Sequence, residues 1–320
     1  MTRDPLLTGA ATALLTLLSF SAPASADPYK EALRAHEIGR FATALELARP
    51  LAEQGDVRAQ RLMGILYDLG QGVTQDYAEA MRWYRRAADQ GDAGGQRRIA
   101  MLYDLGQGVD RDRVEARHWY LLAAAQGDVA AQARLGALYR LGQGVARDYA
   151  EALKWYRLAA EQRDASAQLD LGFMYDQGLG VPSDLAEALR WYRLAADQGE
   201  PAAIYNVGLA YAEGRGVAQD YVQAMEWYLR AVDRGHAGAA NNLGTLYERG
   251  KGTPKDEIEA HKWYNLAAWR LPVADNQDRL RAIRNRDELA HKMNPDQVAV
   301  ARQLAREWQP RRGEVRSSGE

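Results

Sequence analysis

The feature that most constrains this chain is an internal repeat with a period of 36 residues. A Trp-Tyr pair and the first glycine of a Gly-x-Gly segment recur in step. The pairs are Trp83-Tyr84, Trp119-Tyr120, Trp155-Tyr156, Trp191-Tyr192, Trp227-Tyr228 and Trp263-Tyr264. The glycines are Gly70, Gly106, Gly142, Gly178, Gly214 and Gly250. Because no insertion or deletion interrupts the six copies, the pattern predicts a solenoid whose units pack on their neighbours.

Each copy has the pattern of two helices joined by a turn. In the first copy, Ala59, Met63 and Tyr67 are spaced i, i+4 and i+8, which places them on one helical face. The following Gly-x-Gly loop begins at Gly70 and supplies residues that tolerate positive φ. A phosphate-binding loop would need a preceding strand and a longer glycine pattern, so we interpret these glycines as turn residues.

The second helix of each copy begins with an acidic residue followed three positions later by Glu or Gln. Asp76 and Glu79 form the first such pair, and the spacing is that of a capping box. The others are Asp112/Glu115, Asp148/Glu151, Asp184/Glu187, Asp220/Gln223 and Asp256/Glu259. We therefore interpret these carboxylates as helix caps and not as acid–base catalysts. The Trp-Tyr pair falls on the apolar stripe that follows.

A glycine lies inside the first helix of five of the six copies. These residues are Gly64, Gly136, Gly172, Gly208 and Gly244, and Ala100 takes the position in the second copy. Glycine inside a helix costs about 1 kcal/mol relative to alanine. Its recurrence predicts that another helix approaches so closely that a side chain would block it.

These residues together resemble the Sel1-like repeat (SLR), a relative of the tetratricopeptide repeat with a longer loop between its helices. The resemblance covers residues 56–271 and implies an all-α, right-handed α/α solenoid of six 36-residue helix-turn-helix units. The units are expected at residues 56–91, 92–127, 128–163, 164–199, 200–235 and 236–271. The departures are Gly94-Gly95 and Ala100 in the second unit, and Arg163 where other units carry a glycine.

The segments on either side of the repeats predict helical caps. Residues 27–55 align with the repeat but lack its glycine loop, as expected of a degenerate N-terminal repeat. Residues 272–308 predict a charged helix, then a second helix that begins at Asn294-Pro295-Asp296-Gln297, which resembles the C-terminal helical cap of bacterial relatives. The polar tail, residues 309–320, is expected to be disordered.

Residues 1–26 have the pattern of a cleaved export signal. Arg3 precedes an apolar stretch from Leu6 to Phe20, and small residues lead to an Ala-x-Ala site that ends at Ala26. The stretch is too short for a transmembrane helix, so no integral membrane segment is expected after cleavage. The sequence has no cysteine and hence no disulfide framework. It therefore predicts a periplasmic protein or, alternatively, a secreted one.

The composition and motifs argue against several classes of chemistry. The formal net charge of −2 gives no overall basic field that would attract nucleic acid. The five histidines lack metal-ligand spacing and are expected to be exposed surface residues, so no metal or cofactor is predicted. Nucleophile motifs such as Gly-x-Ser-x-Gly are absent from the sequence, so no catalytic residue is predicted.

By resemblance, ligands bind along the first helices, which line the concave wall of such solenoids. The candidate partner-binding residues are Arg61, Ile65, Leu69, Arg97, Met101, Leu105, Leu141, Phe173, Tyr205 and Asn241. These positions vary between copies while the framework repeats. The apolar members form a partner site if they are exposed, and a slightly different superhelix would instead bury them between repeats.

The sequence thus predicts a non-catalytic scaffold or adaptor of the bacterial cell envelope. A protein or peptide partner would lie along the concave face. The alternatives are an envelope enzyme or binder that acts on peptidoglycan, a β-lactam or exopolysaccharide, and a secreted host-interaction factor.

Overall fold

The computed structural model describes residues 27–270 and 276–310, which contain sixteen α-helices and no strand. The all-α prediction is confirmed, whereas the right-handed superhelix stays a prediction. The expected export signal, residues 272–275 of the expected C-terminal cap and the tail from residue 311 lie outside the described residues. The chain divides into two compact units, one ending at Ala87 and the other beginning at Ala88.

Every repeat contains two helices, here named A and B. The A helices are α3 (Val57–Leu69), α5 (Ala93–Leu105), α7 (Val129–Leu141), α9 (Ala165–Gln177), α11 (Pro201–Glu213) and α13 (Ala237–Arg249). The B helices are α4 (Tyr77–Asp89), α6 (Arg113–Ala125), α8 (Tyr149–Glu161), α10 (Leu185–Asp197), α12 (Tyr221–Asp233) and α14 (Glu257–Arg270). From α5 to α14 each helix packs on the next one along the chain, as in a solenoid.

Two further pairs of helices flank the repeats. They are α1 (Pro28–Glu37) and α2 (Phe41–Glu53), then α15 (Asn276–Ala290) and α16 (Pro295–Glu307). The first pair packs small buried residues such as Ala32 and Ala44 within the first unit. Asn294 and Gln297 form a complete capping box at the start of α16, as the sequence predicts. Both C-terminal helices pack on α14.

The glycine loops are turns, as predicted, and the third repeat shows why both glycines are needed. Gly142 ends α7 in the left-handed region at φ 68°. Gly144 also has positive φ, and a Cβ placed on it would lie 2.4 Å from the carbonyl oxygen of Arg113. The second glycine therefore lets the loop lie directly on the start of the preceding B helix.

The acidic residues cap the B helices, but the reciprocal half of the capping box is replaced. Asp148 accepts hydrogen bonds from the backbone N–H groups of Ala150 and Glu151. The N–H of Asp148 itself donates to the carbonyl oxygen of Tyr139 at 3.0 Å, so it has no need of the glutamate. Glu151 instead accepts from the indole N–H of Trp155 at 3.1 Å.

The glycine inside the A helix lies against the tyrosine of the Trp-Tyr pair in the same repeat. A Cβ on Gly136 would approach the ring of Tyr156 to 2.6 Å, and Tyr156 is 1% exposed. The other pairs are Gly64 with Tyr84, Gly172 with Tyr192, Gly208 with Tyr228, and Gly244 with Tyr264. The predicted close helix approach is confirmed, and its partner is an aromatic ring.

Gly136→Ala should lower the free energy of unfolding by about 1–2 kcal/mol, because the overpacking in the core outweighs the better helix propensity of alanine. Urea unfolding followed by circular dichroism measures this change. Gly238→Ala is the matched control, since its Cβ would lie 3.3 Å from the side chain of His236 and 3.9 Å from that of Tyr205. Equal effects of the two substitutions would show that the ring contact is not what selects glycine.

Arg163→Gly should raise the free energy of unfolding by about 0.5–1 kcal/mol. Arg163 has φ 68°, and it is the one non-glycine residue with positive φ in the described part of the chain. The left-handed conformation costs an L-residue about 1–2 kcal/mol, which the greater backbone entropy of unfolded glycine offsets in part. Gly127→Arg at the equivalent position, where φ is 87°, should have the opposite effect.

Candidate functional site

The ten candidate residues lie on the A helices, and we call the surface that the A helices of the second unit expose the A-helix face. Their exposure divides them into three groups. Leu69, Leu105, Leu141 and Phe173 are exposed. Arg61, Ile65, Arg97, Met101 and Tyr205 are half-buried, and Asn241 is buried. Whether they contact a partner stays a prediction.

Three exposed apolar side chains lie on the A-helix face of the second unit. Leu105 and Leu141 are the last residues of α5 and α7 and are 52% and 50% exposed. Phe173 on α9 is 38% exposed, and the guanidinium of Arg140 lies 5.9 Å from its ring centre. We call these three residues the apolar strip. The alternative that they are buried between repeats does not hold for this unit.

The polar candidates in this unit are engaged within the protein. Arg97 donates to Asp128 at 3.0 Å, and the ring of Tyr205 stacks on His236 at 4.4 Å between ring centres. Asn241 is only 8% exposed and accepts a hydrogen bond from the Asn285 amide of α15 at 3.1 Å. Its expected place on an open face is wrong, because a helix beyond the repeats covers the last A helix.

The structure also shows a polar site between repeats that the sequence analysis missed. Between repeats 4 and 5, the buried hydroxyl of Tyr192 donates to Asp176 at 3.5 Å. Arg215, from the glycine loop of repeat 5, donates to the same carboxylate. Only ≈20 Å³ of cavity remains around these groups, which is room for about one water molecule.

Neighbouring repeats fill this site with other charged pairs. Asp104 accepts hydrogen bonds from Arg134 at 2.8 Å and from Arg113 at 3.2 Å. In repeat 3 the sign is reversed, because Arg140 takes the place of the aspartate and Asp170 lies 3.8 Å from it. Burial raises the pKa of the Asp170 carboxyl above its usual value.

The site between repeats 5 and 6 carries no such carboxylate, because Ala212 takes the aspartate's position. An open cavity of ≈200 Å³ remains, with Asn242, Thr245 and the buried hydroxyl of Tyr228 among its walls. Lys251 replaces the loop arginine and donates to the hydroxyl of Tyr221 at 2.9 Å. We call this space the repeat 5–6 cavity.

A sequence signal for these sites was present in the repeat alignment. The position reads Asp68, Asp104, Arg140, Asp176, Ala212 and Glu248 along the chain. A position that is charged in five copies and small in one indicates that a charged side chain occupies the equivalent site in five repeats and is missing from one. Its meaning depends on the tyrosine hydroxyl that reaches the same place, which periodicity alone does not reveal.

His261 corrects the expectation that the histidines are exposed. It is fully buried, and the Asn265 amide donates to its Nδ1 at 2.8 Å. Its Nε2 is buried without a hydrogen-bond partner among the described residues. Burial, with Arg302 and Arg286 nearby, lowers the pKa of His261 to about 4. A neutral imidazole that is enclosed in this way is a core residue.

Residues 27–270 and 276–310 offer neither a metal-ion cluster nor a membrane-spanning helix. In this part of the chain, no three His, Asp or Glu side chains are grouped closely enough to hold a metal ion. None of the helices described there is both long enough and apolar enough to cross a membrane.

Comparisons with known proteins identify the repeat independently. The Sel1 repeat model matches six times, at residues 57–92, 93–128, 129–164, 165–200, 201–236 and 237–268. A crystal structure of a Sel1 repeat protein from Oxalobacter formigenes is 33% identical, with TM-score 0.68, and the match covers 76% of this chain and 97% of that one. No match is found among curated proteins.

Two other solved structures are more distant. A protective antigen of uropathogenic Escherichia coli strains, which displays an SLR fold, is 27% identical with TM-score 0.39, over 87% of this chain and 74% of that one. A Sel1 repeat protein from Klebsiella pneumoniae is 24% identical with TM-score 0.42, over 66% of this chain and 99% of that one.

The burial of His261 should make the protein less stable as the pH falls from 6.5 towards 4. The unfolded state binds the imidazole proton at higher pH than the folded state, so unfolding is favoured in this window and unaffected by His261 above it. His261→Gln should remove on the order of 1–2 kcal/mol of the stability lost between pH 7.5 and 5.0, measured by urea unfolding. His118→Gln, at an exposed histidine, should leave that loss unchanged.

Proposed function

The chain belongs to the Sel1 repeat family, and we propose that it is a non-catalytic scaffold that binds a protein or peptide along its A-helix face. Sel1 repeat proteins generally mediate protein–protein interaction. The same family is generally non-catalytic. The finer proposal concerns where the partner binds and in which compartment the protein acts.

The apolar strip is the observation that carries the binding proposal. Leu105 and Leu141 occupy the same position in consecutive repeats, and Phe173 lies on the next A helix. Each side chain exposes more than a third of its surface while the cores beneath are filled by other residues. Apolar side chains repeated on successive helices of one face favour a partner that covers them.

The engagement of the acidic groups supports a non-catalytic role. The carboxylates at the starts of the B helices accept backbone N–H groups, as Asp112 and Asp184 show. Glu115 and Glu187 accept tryptophan N–H groups, and the buried Asp104 is held by two arginines. Each of these carboxylates thus has a structural partner in the part of the chain described.

The proposed compartment is the periplasm or another site of the cell envelope. The support comes from the sequence of residues 1–26, with its basic start, apolar stretch and Ala-x-Ala site. Fractionation of cells that express the full chain, with a periplasmic and a cytoplasmic marker, tests this assignment. The partner is then expected among envelope proteins.

The combined variant Leu105→Asp, Leu141→Asp and Phe173→Asp should lose partner binding, because three buried carboxylates would replace the apolar contact. The assay is affinity capture from an envelope extract with residues 27–320 as bait, quantified by mass spectrometry. Proteins enriched on the wild type should fall at least tenfold on the variant, and circular dichroism should show unchanged helicity.

A matched control places the same substitutions on the B helices. Leu122, Leu158 and Leu194 also occupy one repeat position and are each 39% exposed. Their combined change to Asp adds the same charge to another face and should leave capture intact. Equal capture by both variants and the wild type would overturn the proposal that the A-helix face is the binding surface.

A further inference from the structure

The sites between repeats 4 and 5 and between repeats 5 and 6 are equivalent in sequence but differ in occupancy. Each residue of the first site has a counterpart in the second site, 36 positions later in the sequence. The corresponding residues are Asp176 and Ala212, Tyr192 and Tyr228, and Arg215 and Lys251. The first site therefore shows which chemical groups the second can accommodate.

In the first site a carboxylate joins the tyrosine hydroxyl to the loop cation. Asp176 accepts hydrogen bonds from both Tyr192 and Arg215, and ≈20 Å³ of free space remains. In the second site the acceptor is missing, and ≈200 Å³ is open. The first site has room for one water molecule, whereas the second has room for the head group of a ligand side chain.

The donors of the repeat 5–6 cavity remain in place without a carboxylate between them. The Asn242 amide donates to the Tyr205 hydroxyl at 3.3 Å and also lies beside the Tyr228 hydroxyl, from which no carboxylate among the described residues accepts. Burial raises the pKa of Tyr228, so the hydroxyl keeps its proton at neutral pH. The ammonium group of Lys251 gives one hydrogen bond to Tyr221 and has two N–H donors left.

The charges around the cavity favour an anion. Arg249 and Lys251 line it, and Arg249 makes no ion pair with the described residues. Glu213 is the one acidic side chain among the lining residues of the described chain, and it lies 3.8 Å from the guanidinium of Arg215. Two cations thus face one partly neutralised carboxylate.

We propose that the repeat 5–6 cavity binds a carboxylate of the partner, which takes the place that Asp176 occupies one repeat earlier. The ligand carboxylate accepts hydrogen bonds from Tyr228 and Lys251, and Arg249 adds a second cationic contact at the rim. This inference rests on the proposed function, because it names the chemistry that the A-helix face recognises in its partner. The carboxylate belongs to an Asp or Glu side chain or to a chain end.

Three blocked tripeptides test the site without knowledge of the partner. Acetyl-Ala-Glu-Ala-amide carries a side-chain carboxylate, acetyl-Ala-Gln-Ala-amide is its neutral isostere, and acetyl-Ala-Ala-Ala with a free carboxyl end carries a terminal one. Each is titrated into ¹⁵N-labelled residues 27–320. The readout is the NMR shift of the Asn242 side-chain amide and of the Lys251 backbone amide.

The expected result is saturable shifts at both amides with at least one carboxylate peptide and at least tenfold weaker binding of the glutamine peptide. The peptide that binds more tightly identifies the source of the carboxylate. Ala212→Asp should abolish the effect, because the new side chain supplies the internal carboxylate that other repeats have. Lys251→Gln should weaken binding at least tenfold. This second variant tests the site even if Ala212→Asp does not fold.

Ala146→Asp is the charge-matched control, since it adds the same charge to an exposed loop in repeat 3 and should leave binding unchanged. The proposal is overturned if neither carboxylate peptide gives saturable shifts in the wild type. It is overturned equally if the glutamine peptide binds as well as the tighter of the two carboxylate peptides, or if Ala212→Asp and Lys251→Gln both bind like the wild type. Failure here is separate from failure of the scaffold proposal, which the capture experiment with the apolar strip tests independently.

Discussion

The contact between a tyrosine ring and a helix glycine is the interaction on which five of the six repeats depend. Tyr156 lies where a Cβ of Gly136 would stand, so helices A and B approach within the thickness of a ring. Such close approach lets small alanines complete the core, and Ala152, Ala159 and Ala160 are all buried. The energetic cost of a glycine inside a helix is offset by its close packing against the ring.

This contact also determines the position of the tyrosine hydroxyl, around which the buried polar groups lie. A tyrosine whose ring is fixed between two helices has a hydroxyl at a fixed place, and that place is the site between repeats. The tyrosine that carries the hydroxyl is present in every copy, whereas its hydrogen-bond partner lies at a position that varies, as Asp176 and Arg140 show. The tyrosine hydroxyl is therefore the atom at which the repeated core contacts the positions that vary between copies.

The sequence predicted the features that depend on spacing along one chain. The helices, the glycine turns and the Asp caps follow from local rules, and they were confirmed. What it did not reveal depends on which groups meet in space. Asp148 donates its N–H to Tyr139 instead of to Glu151, and α15 covers Asn241. Buried Gln132 bonds the carbonyl oxygen of Ala124, although only its apolar neighbours stood out in the helical pattern.

The replacement of the carboxylate by Ala212 has an energetic consequence. A buried hydroxyl that lacks a charged partner forgoes a hydrogen bond to a charged group, which is worth about 1.5–3 kcal/mol. One substitution, alanine to aspartate, would supply that partner in the way that Asp176 does for Tyr192. The chain keeps Lys251 and Tyr228 without that aspartate, which leaves donors that a ligand carboxylate can satisfy.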